Sequence, residues 1–161
     1  MAVAVGTAVS TCAGAADIGS PPPDCNWHLL DGTTVSLSQL RGKVVYVDFW
    51  ASWCGPCVLS FPFMNSLVRD YQGRGLQVVG VDMDERAEDA RKFVADHAAA
   101  FAIAEAPNEK CATDFRVHDM PSTYFVDRQG TLRVVHRGFR TGDEAELRRA
   151  IDAMLNAPET R

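Results

Sequence analysis

Two cysteines separated by two residues are the feature of this sequence best suited to chemistry. Cys54 and Cys57 lie between an apolar, β-branched run and a segment whose apolar residues recur at helical spacing. A pair with this spacing can hold a metal ion, close a structural disulfide, or exchange disulfides as a dithiol. The flanking elements and the neighbouring residues favour the third use.

The elements on either side place the pair at a turn. Residues 43–51 form an apolar run typical of a strand that is buried on both faces. Apolar residues then follow helical spacing from Pro56 to about Gln72, and Gly73 and Gly75 end the predicted helix. The pair is therefore predicted at a strand-to-helix turn.

The start of a helix makes the two cysteines unequal. Free backbone N–H groups and the positive end of the helix dipole favour a thiolate over a thiol. We expect the more exposed Cys54 to be the nucleophile and Cys57, one turn inside the helix, to be the resolving thiol. Pro56 loses no hydrogen bond in the first turn and stiffens the ring that the disulfide closes, while Gly55 leaves Cys54 uncovered.

Asp48 is an acid in the middle of the apolar strand, six residues before Cys54. Burying a carboxyl group is costly, and desolvation is expected to raise its pKa. Such a group under the start of the helix could accept, through a water, the proton that Cys57 loses when it resolves a mixed disulfide. The alternative is that Asp48 only hydrogen-bonds the backbone at a turn or a sheet edge.

The other two uses of the pair have less support. Four-coordinate zinc requires two further ligands, and the sequence has no second CxxC and no HxxxH. A Cu(I) ion accepts two thiolates, so a metal-binding module stays an alternative. We expect the protein to use no metal or other cofactor. The Gly-Pro inside the pair, Trp50, Trp53 and the buried acid argue against a purely structural disulfide.

Composition limits the class of protein. A chain of 161 residues with 47% apolar residues is expected to form one domain. The net charge of -5 includes no Lys/Arg stripe, so we expect the protein to bind no nucleic acid. We also expect a monomer. No run approaches the roughly 18 apolar residues that span a bilayer.

The first 22 residues differ in composition from the rest. Small, apolar residues up to Ala16 are typical of the end of a secretory signal and its cleavage site, but a basic n-region is missing. Two interpretations stay open for residues 1–22, an export-signal remnant or a disordered arm, with the folded domain over residues 23–158. We favour export, to the periplasm or otherwise, with the cytoplasm as the alternative.

The remaining segments alternate between strands and helices. Asp31-Gly32 and Gln129-Gly130 are predicted hairpin turns, and Asp143 is the predicted N-cap of a terminal helix. Between the hairpins lie predicted strands and helices at residues 76–84, 85–99, 100–105 and 108–115. This order predicts an α/β fold with a mixed central sheet flanked by helices.

The segment "VDFWASWCGPC" resembles the active-site segment of thioredoxins, including Asp48, Trp50 and Trp53. The resemblance extends to Pro62, which follows five residues after the second cysteine. Over about residues 24–157 the chain is similar to the periplasmic thioredoxin-like proteins of the TlpA and ResA type. "LLDGTTVSLSQLRGKVVYVDFWASWCGPC", "LQVVGVDMDE" and "VHDMPSTYFVDRQGTLR" carry this resemblance in order and spacing.

The resemblance implies a thioredoxin-like fold with an added N-terminal β-hairpin, and reversible oxidation of Cys54–Cys57. It also implies a cis Met120–Pro121 bond beside the disulfide, although Pro121 taken alone could be an ordinary strand-start residue. Backbone groups of Met120 would then pair with a bound substrate segment. The other residues expected at the substrate surface are Trp53, Gly55 and Pro56.

The activity that the resemblance implies is that of a thiol:disulfide oxidoreductase. We expect it to reduce disulfides of client proteins, with oxidase or isomerase activity as the alternative. An exported reductant would need an upstream dithiol electron donor, for which a membrane protein is a candidate.

Some residues depart from the family pattern. Many members of the subgroup have a glutamate where this chain has Ser60 and an asparagine where it has Asp48, which puts a role in cytochrome c maturation in doubt. The PxxxTxxC arrangement of peroxidases is absent from the sequence.

Three further cysteines lie outside the pair. Cys25 is expected to be a small buried hydrophobe on a strand, and Cys111 an inert, half-buried residue of a short helix. A Cys12–Cys25 disulfide is an alternative in an oxidising compartment, and five cysteines leave one unpaired in any arrangement.

Overall fold

The structure is a computed structural model that describes residues 16–71, 73–105 and 109–158. Within these ranges the strands are β1 (Trp27–His28), β2 (Thr34–Val35), β3 (Val44–Trp50), β4 (Leu76–Asp82), β5 (Ala102–Ala104), β6 (Ser122–Val126) and β7 (Leu132–Arg137). The helices are α1 (Gly55–Tyr71), α2 (Ala87–His97), α3 (Glu109–Asp114) and α4 (Asp143–Asn156). A short 3₁₀ turn covers Ser38–Leu40.

The main sheet has the strand order β5-β4-β3-β6-β7. Strand β4 runs parallel to β3 and β5, whereas β6 is antiparallel to β3 and β7, so the predicted mixed sheet is confirmed. Strands β1 and β2 form a separate antiparallel hairpin, with Trp27 opposite Val35. The expected hairpin added to a thioredoxin-like fold is therefore present.

Alternate residues of β3 point into two separate cores, as the pleat of a strand requires. On one face Val44, Tyr46 and Trp50 pack with apolar residues of α1, α2 and α4. On the other face Val45, Val47 and Phe49 pack with residues of α3 and with Trp27 of the hairpin. The sheet is thus covered by three helices on the first face, and by α3 and the N-terminal region on the second.

The predicted N-cap of α4 is wrong. The residue before the helix is Gly142, whose φ of 105° lies in the left-handed region, and no side chain caps the helix. The carboxylate of Asp143 instead accepts a hydrogen bond of 2.8 Å from the backbone N–H of Arg140 and lies 3.2 Å from the ring of His136. The carboxylate of Asp143 therefore stabilises the turn before the helix instead of capping the helix.

The N-terminal region is described only from Ala16 onward. Most of the predicted arm, residues 1–15, lies outside the described residues, and the domain boundary at residue 23 stays a prediction. Residues 16–22 pack on the domain: the N–H of Ala16 donates to the carbonyl of Asp114 at 3.0 Å, and that of Gly19 to Leu132 at 2.8 Å. No helix in the described ranges is long and apolar enough to cross a membrane.

The expectations for Cys25 and Cys111 are wrong. Cys25 precedes β1 instead of lying on a strand, and it forms a disulfide with Cys111 of α3 across 86 residues of sequence. The fold brings these distant segments together on the second face of the sheet. The alternative partner of Cys25, Cys12, lies outside the described residues.

Candidate active site

The chain ends of three strands meet at one edge of the sheet. Trp50 ends β3 and Asp82 ends the parallel strand β4 directly beside it. Strand β6 runs the opposite way and begins with Ser122 opposite Phe49. Pro121, just before β6, therefore lies at the same edge as the loop that leads from β3 to Cys54.

The two cysteines of this loop form a disulfide at the start of α1. Their Cα atoms are 5.4 Å apart, and the N–H of Cys57 donates to the carbonyl of Cys54 at 3.1 Å. Cys54 is 5% exposed and Cys57 is fully buried, so Gly55 uncovers Cys54 less than expected. The order of exposure nevertheless agrees with Cys54 being the first sulfur that a client reaches.

The two tryptophans near the pair have different environments. Trp53 is 68% exposed immediately before Cys54, and Val58 and Leu59 of α1 are also exposed. Trp50 is fully buried, with ring centroids 4.8 Å from Phe61 and 5.0 Å from Phe93. Trp53 is thus available to a bound protein, whereas Trp50 supports the loop from inside the core.

Asp48 is fully buried on β3, the central strand. Its Oδ1 accepts a hydrogen bond of 2.6 Å from the hydroxyl of Thr123, and its Oδ2 has no hydrogen-bond partner among the described residues. Burial raises the pKa of Asp48 to about 7, and the hydroxyls of Thr123 and Ser60 oppose this rise. Near neutral pH this carboxyl group can therefore both accept and return a proton.

Ser60 interacts both with Asp48 and with the backbone of the buried cysteine. Its hydroxyl donates to the carbonyl of Cys57 at 3.1 Å, and the same side chain lowers the pKa of Asp48. Ser60 is fully buried, one turn into α1. The sequence marked this position only as a departure from the family pattern, and its contact with the acid was missed.

Sequence reasoning also missed a pair of acids at the end of β4. The carboxylate of Asp84 accepts two hydrogen bonds from Ser52, one from its N–H at 2.9 Å and one from its hydroxyl at 2.8 Å. Oδ1 of Asp82 in turn accepts the N–H of Asp84 at 2.9 Å, and both acids are buried. Asp84 therefore ties the loop that carries Cys54 to the end of β4.

Asp82 has an unusual protonation equilibrium. Burial, as the larger cause, and the neighbouring carboxyl of Asp84 together raise its pKa to about 7. The available signal was two aspartates, Asp82 and Asp84, that end an otherwise apolar strand segment.

The proline expected beside the disulfide has the implied conformation. The Met120–Pro121 peptide bond is cis, and Met120 packs against the apolar cluster that contains Cys54 and Cys57. The carbonyl of Pro121 accepts the N–H of Gly138 at 2.7 Å, which fixes the start of β6 to the end of β7. The structure thus brings both members of this dipeptide to the edge that carries the cysteine pair.

The sheet order, the cysteine pair at the start of α1 and the cis-proline together define a thioredoxin-like protein. The model of the AhpC/TSA family matches residues 18–135, and the chain belongs to this family.

Three known proteins are similar to this chain over most of its length. Thiol-disulfide oxidoreductase ResA of Oceanobacillus iheyensis is 32% identical over 133 residues, which is 80% of this chain and 69% of the relative. A Chlorobium tepidum structure described as a thiol:disulfide interchange protein DsbE has a TM-score of 0.83 and 41% identity, covering 87% of this chain and 99% of its own. A Bacteroides thetaiotaomicron structure described as a protein disulfide isomerase has a TM-score of 0.78 and 29% identity, covering 88% and 91%.

Proposed function

We propose that this thiol-disulfide oxidoreductase reduces disulfides of client proteins, with Cys54 as the nucleophile and Cys57 as the resolving thiol. The observation that carries the proposal is the Cys54–Cys57 disulfide at the start of a helix, in which Cys54 alone keeps exposed surface. A helix start favours the thiolate that attacks a disulfide.

The reaction begins with the reduced pair. The thiolate of Cys54 attacks one sulfur of the client disulfide, a mixed disulfide forms, and the client's other sulfur leaves as a thiolate. Cys57 then loses its proton and attacks the sulfur of Cys54, which releases the second client thiolate. Two electrons have passed to the client, whose thiolates take up two protons, and the Cys54–Cys57 disulfide remains.

Asp48 is proposed as the group that accepts the proton of Cys57. Its pKa of about 7 suits it to this task at neutral pH, because a general base works best when its pKa lies near the working pH. The buried hydroxyl of Ser60 donates to the backbone carbonyl of Cys57 and also lowers the pKa of Asp48, so this side chain interacts with both residues.

The client is proposed to lie along the edge that carries the cysteine pair. Trp53 offers the most exposed aromatic surface there, and Gly55 and Pro56 leave the approach to Cys54 free of long side chains. Met120 and Pro121 would face an extended client segment, with backbone groups of Met120 pairing with it. Recognition through backbone pairing suits an enzyme that accepts varied sequences.

Export to the periplasm or a similar compartment is proposed together with this activity. The resemblance to periplasmic TlpA- and ResA-type proteins supports it, as does the Cys25–Cys111 disulfide, because disulfides persist mainly in oxidising compartments. There, a monomeric reductant would be reduced again by a dithiol electron donor, for which a membrane protein is the candidate.

The reduction potential of Cys54–Cys57, measured by equilibration with a glutathione or thioredoxin buffer, tests the direction of electron flow. A potential of about -250 mV or lower supports the proposed reductase activity. A potential near about -120 mV contradicts it and favours the oxidase alternative. Mass spectrometry of protein purified without added metal tests the alternative of a zinc or copper module.

A further inference from the structure

The protein contains two disulfides on opposite faces of its sheet. Cys54 and Cys57 belong to the core on the face of Trp50, whereas Cys111 belongs to the core on the face of Phe49, with Cys25 packed against it. Successive residues of a strand point to opposite faces. The sheet itself therefore separates the two sulfur pairs, and neither can exchange with the other inside one folded molecule.

The second disulfide joins two elements that are weak on their own. Helix α3 has six residues, and strands β1 and β2 have two each. A helix of this length is marginal in water, and an isolated two-stranded hairpin is barely stable. These elements nevertheless cover the second face, where the rings of Trp27 and Phe115 have centroids 6.3 Å apart.

The polar links between the α3 region and the N-terminal segment lie close to solvent. Arg116 bonds the carboxylate of Asp17 at 2.9 Å, with both side chains more than half exposed. The N–H of Ala16 donates to the carbonyl of Asp114 at 3.0 Å. Exposed ion pairs contribute little to stability, so the apolar packing of Trp27 on Phe115 and the covalent bond are the main connections between these segments.

We infer that Cys25–Cys111 is a structural disulfide that clamps the segment before β1 onto α3 and stays closed while Cys54–Cys57 cycles. Cys111 is 4% exposed and Cys25 is half-buried, so the Cys25 side of this disulfide is the side that a reductant can approach. The clamp closes a loop of 86 residues, and long loops gain most from a cross-link in the chain-entropy account.

Closing the clamp requires an oxidant from outside the molecule, and the chemical class is a protein disulfide of a thiol oxidase. The thiolate of Cys25 attacks that disulfide and releases one oxidase thiolate. Cys111 then attacks the sulfur of Cys25 and releases the second. Two electrons pass to the oxidase, and its two thiolates take up the protons lost by Cys25 and Cys111, so that the oxidase ends as a dithiol.

Differential alkylation of the folded wild-type protein tests the inference. Samples from an oxidising host compartment are treated with increasing dithiothreitol, quenched in acid and alkylated. Trypsin then releases Cys111 in the peptide 111–116, and cleavage before Asp17 and Asp24 separates Cys25 from Cys12. Each thiol can thus be quantified by mass spectrometry.

We expect a range of dithiothreitol in which Cys54 and Cys57 are fully alkylated while Cys25 and Cys111 remain unlabelled and joined. Labelling of Cys25 and Cys111 together with the active-site pair, or a Cys12–Cys25 disulfide in the untreated protein, would overturn the inference. Neither outcome depends on the direction in which Cys54–Cys57 transfers electrons, so this test is independent of the proposed reductase.

A double variant tests the clamp itself. Cys25→Ala combined with Cys111→Ala is expected to lower the thermal midpoint and to speed chymotrypsin cleavage after Trp27. The folded double variant should still reduce a test disulfide. The matched control, Cys54→Ser with Cys57→Ser, removes the other disulfide and should keep the slow cleavage at Trp27. Equal cleavage rates in both double variants and the wild type would show that Cys25–Cys111 holds nothing in place.

Discussion

The hydroxyl of Thr123 on β6 donates a 2.6 Å hydrogen bond to the carboxylate of Asp48, the residue directly opposite it on β3. This bond satisfies one carboxylate oxygen, and the other has no partner among the described residues. An ionised carboxylate is therefore poorly solvated at this position, which is why burial raises the pKa of Asp48.

The first prediction concerns stability and pH. The pKa of Asp48 rises from its ordinary value of 3.8 to about 7 on folding. The contribution of this shift to the free energy of unfolding is therefore fully favourable below about pH 4 and is lost as the pH rises through 7. About three pH units correspond to about 4 kcal/mol. We expect Asp48→Asn to be more stable than the wild type at pH 8, by up to that amount.

Urea unfolding of both proteins at pH 4, 6 and 8 checks this prediction. The raised pKa of Asp82 acts in the same direction in both proteins and cancels in their difference. The gain should shrink toward pH 4, where Asp48 is protonated in the folded wild type and pH approaches its unfolded-state pKa of 3.8. A stability difference independent of pH would mean that Asp48 does not carry the raised pKa.

The second prediction concerns the role of Asp48 in resolving the mixed disulfide. Asp48→Asn should slow this step at neutral pH, and the inflection near pH 7 should disappear from its rate profile. Thr123→Val removes a hydrogen bond that lowers the pKa of Asp48, so its inflection should move to higher pH. Stopped-flow measurement with a disulfide peptide checks both, and an unchanged profile in Asp48→Asn would leave Asp48 a structural residue only.

The third prediction concerns the order of the two sulfurs. Cys57→Ser should accumulate mixed disulfides with client proteins, because Cys54 can attack and nothing resolves the product. Cys54→Ser should accumulate far fewer, because the remaining Cys57 is fully buried. Non-reducing gel electrophoresis after acid quenching checks the pair, and equal trapping would reverse or abolish the nucleophile assignment.

The fourth prediction concerns the loop that carries Cys54. Ser52→Ala removes one of the two hydrogen bonds to Asp84, and Asp84→Ala removes both. Hydrogen bonds to a charged group contribute about 1.5–3 kcal/mol each, so Asp84→Ala should lose more stability than Ser52→Ala. Both should lower kcat/KM for a disulfide substrate because Cys54 is held less firmly.

The exposed acid Asp89 on α2 provides a control for the loss of charge. Asp89→Ala removes a carboxylate near the same end of the molecule but no bond to the loop. It should lose at most about 0.3–1 kcal/mol of stability, because it gives up an exposed ion pair with Arg86 and a charge in the first turn of α2, and it should keep its kcat/KM. If it impairs the enzyme as much as Asp84→Ala does, net charge and not the tether to Ser52 controls the rate.

The sequence predicted the parts of the site that depend on local pattern. An apolar run followed by helical spacing placed Cys54 and Cys57 at the start of α1, and an acid within that run predicted the burial of Asp48. The cis bond before Pro121 followed from family resemblance, since its residue type alone fits an ordinary strand start.

The features that the sequence did not predict depend on contacts between distant segments. Ser52 and Asp84 meet only because β3 and β4 end side by side. The Cys25–Cys111 disulfide spans 86 residues, and connectivity of this kind cannot be deduced from cysteine spacing. Such pairings become visible only when the order of strands and the layers on each face are known.

Because one sheet separates the two sulfur pairs, their oxidation states are independent of each other in each molecule. The state of Cys54 and Cys57 follows the electron supply at the moment of sampling. The state of Cys25 and Cys111 follows the compartment in which that molecule folded. Under the proposed export and reductase activity, one alkylation experiment on cell extracts would therefore distinguish newly made, unexported chains from exported chains that have just given up their electrons.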